Sequence, residues 1–169
     1  DLKPGSILLT LDPAAAYAGL LAERHDVIRG VTHPCHPSVF LERHTPEEYA
    51  DTFGGIAAPQ DAIGAIESDD PAKKELLETV IRAIFAPVVD VHWVTVKQLA
   101  QLEPTLVETV ACMIGALLAE ALEETVNTMG VPREAARSIL LGHTQVALAN
   151  TLKGSNPFSD ACLIATDYG

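Results

Sequence analysis

Between Val96 and Met129 apolar residues recur at helical spacing for longer than an ordinary helix requires. Leu99, Leu102, Leu106, Val110, Met113, Leu117 and Ala121 form one stripe, with Val107, Ile114, Leu118 and Leu122 beside it. At ~1.5 Å per residue such a helix would span roughly 50 Å. Its apolar arc is wider than one neighbour can cover, which predicts a place at the centre of a helical layer. Glu120, Glu123, Glu124 and Asn127 mark the flank that meets water, Gly130 ends the helix, and Pro132 prevents its continuation. Near the start, Pro104 has no N–H to give the carbonyl of Ala100, so a kink, or a break between two helices, is expected there. Glu103 and Glu108 flank that point. On a straight helix they point about 140° apart, so one of them, not both, is expected to serve a single site.

The chain has 169 residues, 48% of them hydrophobic, enough for one sizeable core in one lobe or two. A net charge of -12 argues against a nucleic-acid binder, which carries a basic patch. The sequence shows no polybasic stretch or signal peptide, and no apolar run is read as long enough to span a bilayer. Cys35, Cys112 and Cys162 are an odd count at unrelated spacings, which predicts reduced thiols in a cytoplasmic protein. The chain starts at Asp1 almost directly on a strand, and is expected to be a piece of a longer protein.

Before the long helix the pattern is α/β. Ile7 to Leu11 is a short apolar run suited to a strand buried on both faces; Ala14 to Arg24 reads as a helix and Val27 to Val31 as a second, parallel strand. Thr32-His-Pro-Cys-His-Pro37 then forms a loop at that strand's carboxyl end, where open α/β sheets bind ligands. Arg43 to Asp51 reads as an exposed loop or helical turn, and Phe53 to Ala57 and Ala62 to Ile66 as extended. Asp70 caps a helix that starts at Pro71 and ends before Pro87, Val88 to Val94 is a last strand, and Thr95 caps the long helix. A further helix follows Val131-Pro-Arg-Glu134 as far as Leu152, Gly154 to Phe158 breaks it, and Ser159 to Tyr168 starts a short final one. The fold class is thus α/β over residues 1–95 followed by all-α over 96–169.

His33, Cys35 and His36 place three potential ligands or catalytic groups within four residues, stiffened by Pro34 and Pro37. The same prolines would equally make a rigid corner. Glu103 reads either as a helix-start carboxylate or as an acid, base or ligand; Glu108 reads as a solvated side chain or a second catalytic carboxylate. Asp12 and Pro13, at the carboxyl end of the first strand, could touch a cofactor or simply shape the turn. Cys35 could be a nucleophile. His143 and Gln145 read as packed helix residues, Lys153 and Asp160 as a surface pair, and His25, His44 and His92 as edge positions.

Two sets of motifs carry a resemblance. The first is Leu11-Asp-Pro-Ala-Ala-Ala-Tyr-Ala18 with Thr32-His-Pro-Cys-His-Pro37. The second is Val94-Thr-Val-Lys-Gln-Leu-Ala-Gln-Leu-Glu-Pro104 with Gly130-Val-Pro-Arg-Glu-Ala-Ala136, Leu140-Leu-Gly-His143 and Phe158-Ser-Asp-Ala-Cys162. Together they resemble the NAD(P)-dependent oxidoreductases of the 6-phosphogluconate-dehydrogenase-like superfamily that carry a phosphogluconate-dehydrogenase-type C-terminal domain, a family that includes D-apionate oxidoisomerases. The resemblance implies the second half of a Rossmann-like sheet plus a helical dimerisation domain, with the active site between them. It implies NAD or NADP in the full-length parent, although no G-x-G-x-x-G follows a strand in this sequence. The family's substrate-gripping loop corresponds to His33–His36. Its catalytic lysine falls near Glu103, where this chain has none. On that resemblance His33 and Glu103 are expected to hold a divalent metal, zinc by donor type, with His36 as orienting or catalytic group and Glu108 as the other catalytic candidate. The implied substrate is a polyhydroxy sugar acid, oxidised with possible isomerisation by a homodimer without nucleic-acid or membrane partners. The rival readings are a non-enzymatic helical dimerisation module and a small metal-dependent hydrolase.

Overall fold

The structure is a computed structural model that describes residues 2–153 together with 164, 167 and 168. The expected break at Gly154 to Phe158, most of the expected final helix, Asp160 and Cys162 lie outside the described residues. The chain divides into two compact units, Asp1–Thr109 and Val110–Gly169.

The first unit is built on a four-stranded sheet in the order β1 (Ile7–Thr10), β2 (Ile28–His36), β3 (Gln60–Ile66), β4 (Val88–Trp93). β1 pairs parallel with β2 and β3 parallel with β4, while β2 and β3 run antiparallel. The β1–helix–β2 unit is therefore present, but its helix α1 covers only Pro13–Tyr17 rather than reaching Arg24. Ala18 caps it and Gly19, at φ 69°, turns the chain out of the helical region. The short helix α2 (Pro46–Ala50) follows β2, and residues 53–57 are turns, not the expected extended segment.

The sheet's two faces bury different layers, because side chains alternate along a strand. On one face Val31 and Ala65 pack with Ala16 of α1 and with Val96 and Leu99 of α4 (Val96–Leu102). On the other, Ala62 and Val91 pack with Leu77 and Ile81 of α3 (Pro71–Ile84). That second face is lined by glycines for a steric reason: a Cβ on Gly30 would sit 3.0 Å from Leu77, and one on Gly64 3.0 Å from Ile81. As expected, Asp70 caps α3 by accepting from Ala72 N–H, and Thr95 caps α4, here in a full capping box with Gln98.

Thr32 to Pro34 and His36 are not a loop. They continue β2, pairing with Gly64, Ile63, Ala62 and Asp61 of β3, with a register shift between Pro34 and His36. A proline that cannot donate to a ladder fits beside such a bulge, so the Pro34 signal marks an irregularity within the strand and not its end.

The long helical run does not break at Pro104. Its path continues through a π-helical segment, Glu103–Ala111, into α5 (Cys112–Asn127). The wider winding carries the path past Pro104, and two threonine hydroxyls bond backbone carbonyls within it. Thr105 Oγ1 donates to Gln101 O at 2.5 Å and Thr109 Oγ1 to Pro104 O at 2.6 Å. Val96–Asn127 is, by length and composition alone, apolar enough to cross a membrane, which corrects the expectation that no run has that length.

In the second unit α5 and α6 (Arg133–Lys153) pack together. Gly130, at φ 69°, turns the chain between them, and Arg133 clamps Glu123 through two bonds of 2.6 and 2.7 Å. Of the expected long helix, the α4 part is buried at Val96 and Leu99, whereas α5 is not covered among the described residues. No α5 residue is buried, and Met113 and Leu117 are 64% and 66% exposed.

Candidate functional site

The packing of α4 on β2 sets the site. Val31 and Leu99 meet in the core. Two residues further along β2, on the same face, comes His33; four residues further along the helical path, one turn on, comes Glu103. The two steps are nearly equal in length, ~6.8 Å along a strand and ~6 Å along a helix. The polar pair therefore prolongs the apolar contact by one repeat. His33 Nε2 and Glu103 Oε1 lie 2.5 Å apart, with side chains 23% and 22% exposed.

The other ring nitrogen, Nδ1 of His33, lies 2.8 Å from the carbonyl oxygen of Pro34. A carbonyl only accepts, so Nδ1 carries a proton, and Nε2 faces the carboxylate. The carboxylate oxygen accepts from Nε2 where that nitrogen also carries a proton. The same arrangement, with Nδ1–H tied to a backbone carbonyl, is the usual way a protein aims an imidazole at a metal. Among the described residues, however, no group of three His, Cys, Asp or Glu side chains could hold a metal ion. His33 and Glu103 offer two donors suited to zinc, and substrate oxygens or water would have to complete the set.

His36 stands beside this pair, its ring 6.1 Å from that of His33 and edge-on to it. Its φ is 61°, a left-handed conformation unusual for a non-glycine residue. Glu108 lies exposed in the π-helical segment. The i→i+5 winding puts residues five apart on about the same side, so the divergence expected of a straight helix does not hold. Asp12 caps α1, accepting from Ala14 N–H at 2.6 Å, and Pro13 is fully buried behind it. Both sit at the carboxyl end of β1, whose Thr10 pairs with Val31, so they belong to the His33 end of the sheet.

Cys35 is not poised as a nucleophile. Desolvation of its sulfur, helped by the Asp61 carboxylate, pushes the thiol up to about 11 although the residue as a whole is exposed, and the reactive thiolate is scarce near neutrality. Asp61 also pairs with His92 at 2.9 Å and raises that histidine's pKa by hydrogen bonding. His143 is exposed, not packed, and its Nδ1 bonds the Ile139 carbonyl at 2.9 Å.

Asp51 is the residue that sequence reading misplaces. Expected on an exposed loop, it is 5% exposed and accepts four backbone N–H bonds, from Gly54, Ile56, Ala57 and Ala58, at 2.8 to 3.1 Å. These bonds hold its carboxyl below the usual range. The signal that could have found it is an aspartate shortly before Gly54-Gly55, the kind of sequence that folds a loop around one carboxylate.

Comparison with known proteins gives the chain its family. The chain is 60% identical over 169 residues to the D-apionate oxidoisomerase of Pectobacterium atrosepticum, covering 100% of this chain and 59% of that protein. It is 42% identical over 172 residues to the D-apionate oxidoisomerase of Cupriavidus necator, covering 61% of that protein. Its fold matches the crystal structure of a semialdehyde dehydrogenase NAD-binding protein from Cupriavidus necator in complex with calcium and NAD. The TM-score is 0.92 at 41% identity, over 99% of this chain and 61% of that one. The chain thus spans about three fifths of the length of these relatives. Residues 41–169 match the family described as phosphogluconate dehydrogenase (decarboxylating), C-terminal, and the chain belongs to that family.

Proposed function

We propose that this chain is the C-terminal part of an NAD-dependent oxidoreductase acting on a sugar acid such as D-apionate, with oxidation coupled to isomerisation. In this reading residues 1–95 complete a nucleotide-binding domain and residues 96–169 form the helical substrate and dimerisation domain. The observation that carries it is the His33–Glu103 contact at the carboxyl end of β2, in a chain whose relatives bear that activity in their names.

Oxidising a secondary alcohol sends a hydride from carbon to the nicotinamide and a proton from the hydroxyl to a base. His36, its ring 6.1 Å from that of His33, would take that proton where a metal occupies His33 and Glu103, and the pair itself would where none does. In the pair the strand fixes one residue and the helix the other, and the Pro34 carbonyl keeps the His33 imidazole aimed. For an isomerisation the same group would take a proton from one carbon or oxygen of the oxidised sugar acid and return it to a neighbouring one. A divalent metal, zinc by donor chemistry, would be held by His33 Nε2 and Glu103 and would polarise a substrate hydroxyl or carbonyl. Asp12 and Pro13 would lie along the cofactor, at the end of β1. The phosphate-cradling glycine turn is not in this sequence. The cysteines remain reduced thiols in a cytoplasmic enzyme.

The exposed apolar face of α5 favours a second role, assembly of a homodimer through the helical unit. Sedimentation of the full-length protein should then show a dimer, and Leu117→Glu should leave a monomer.

The test of the activity is formation of NADH by the full-length protein given NAD and D-apionate, with bound metal measured in parallel. His33→Ala and Glu103→Gln should each lower turnover by about 10² to 10⁴ while the fold persists. Wild-type rates in both variants, or no nicotinamide reduction with any sugar acid, would overturn the reading.

A further inference from the structure

His36 is held in its left-handed conformation from three directions. Its backbone N–H donates to Gln60 Oε1 at 3.1 Å, its ring Nδ1 lies 2.7 Å from the Phe53 carbonyl oxygen, and its ring packs on that of Phe53 at 4.4 Å between centroids. A strained backbone persists only where its surroundings fix it this fully, and such residues gather at working sites. Two of the three restraints come from the segment after Asp51. There Gly54 and Gly55 take φ values of 87° and 89°, and the Asp51 carboxylate gathers four N–H groups. Gln60 of β3, 4% exposed, lies against that segment, so close that a Cβ on Gly54 would sit 2.6 Å from its side chain, and its Nε2 donates to the Phe85 carbonyl at the end of α3.

The Phe53 carbonyl can only accept, so His36 Nδ1 is the protonated nitrogen and the neutral ring keeps Nε2 as an acceptor. We propose that Asp51 is a positioning residue for His36: it folds residues 51–58 so that the Phe53 carbonyl captures the Nδ1 proton and leaves Nε2 available beside the His33–Glu103 pair. This rests on the reading that His36 serves that site. Asp51 acts through the loop, since its carboxylate accepts from four of the loop's own N–H groups.

The direct test is ¹⁵N NMR of the histidine rings in the full-length protein, above the pH at which His36 is charged. The wild type should show His36 as the Nδ1–H tautomer. Asp51→Asn, which keeps an acceptor oxygen but not the full set, should move the ring toward a tautomer mixture. It should also lower kcat by about tenfold or more with little change in KM. An Nε2–H tautomer in the wild type would overturn the proposal, and so would D51N with unchanged tautomer and kcat. Where D51N does not fold, Gly55→Ala, which strains the same loop at φ 89° without a clash, is read in its place, and an unchanged tautomer and kcat there would overturn the proposal. His36→Ala separates this proposal from the reading beneath it. Unchanged kcat in H36A overturns the role of His36 itself, whereas an inactive H36A beside a fully active D51N overturns only the role of Asp51.

Discussion

The sheet unit and the helical unit solve the burial of apolar surface in opposite ways. In the sheet unit Val31, Leu77, Ile81 and Leu99 are almost wholly enclosed, and the polar groups among them are satisfied: Thr32 donates to the Ile63 carbonyl, and Asp51 and Gln60 carry the bonds described above. In the helical unit α5 buries no residue, and the clamp of Arg133 on Glu123 lies in solvent. A chain that closes its own core can hold a strained histidine and a short imidazole–carboxylate contact in place. A helix pair that leaves its apolar face open needs another surface to cover it. In the function proposed above, chemistry falls to the first kind of region and assembly to the second.

That contrast can be broken by matched substitutions. The largest effect should fall on turnover, where His33→Ala and Glu103→Gln cost about 10² to 10⁴ in rate and leave thermal stability nearly unchanged. Next comes the core: Leu77→Ala should lower unfolding free energy by about 2–5 kcal/mol, measured by urea denaturation. Leu117→Ala, on the open face of α5, should cost under about 1 kcal/mol at concentrations where the chain is monomeric, since solvent-facing substitutions rarely cost more. A comparable loss in both would erase the distinction between the units.

Acid should expose the next difference. Asp51 titrates below its ordinary value when folded, so its contribution to stability is present above the unfolded carboxylate range, near pH 4, and disappears as pH falls through the lower folded value. Melting curves from pH 6 down to pH 3 should show a steeper loss for the wild type than for D51N, whose amide does not titrate. The smallest effect belongs to the exposed clamp. Arg133→Ala should change the melting temperature little, and less still in high salt.

Much of this architecture can be read from local chemistry. Asp70 before Pro71 and Thr95 before Val96 announce helix starts because side-chain caps act within three residues. The strand–helix–strand start follows from short apolar runs around Asp12-Pro13. Residue type and neighbouring prolines bring out the His33–His36 group and Glu103 as candidates, the family resemblance selects His33 with Glu103, and the structure brings these two into contact. What escapes sequence reading depends on partners far along the chain. Residues 32–36 look like a proline-stiffened loop until β3 supplies a ladder. Asp51 looks exposed until four amides converge on it. Pro104 looks like a kink or a break because apolar periodicity carries no sign of the π-helical winding that continues through Glu103–Ala111. The periodicity of α5 correctly marks an apolar face, but periodicity cannot say whether that face meets the same chain or another.

The most direct measurement is a double-mutant cycle on kcat/KM in the full-length protein: wild type, His33→Ala, Glu103→Gln and the pair together. If the strand histidine and the helix glutamate act as one unit, the double variant should be about as slow as either single variant. Losses that simply add, or a single variant at the wild-type rate, would contradict a shared site.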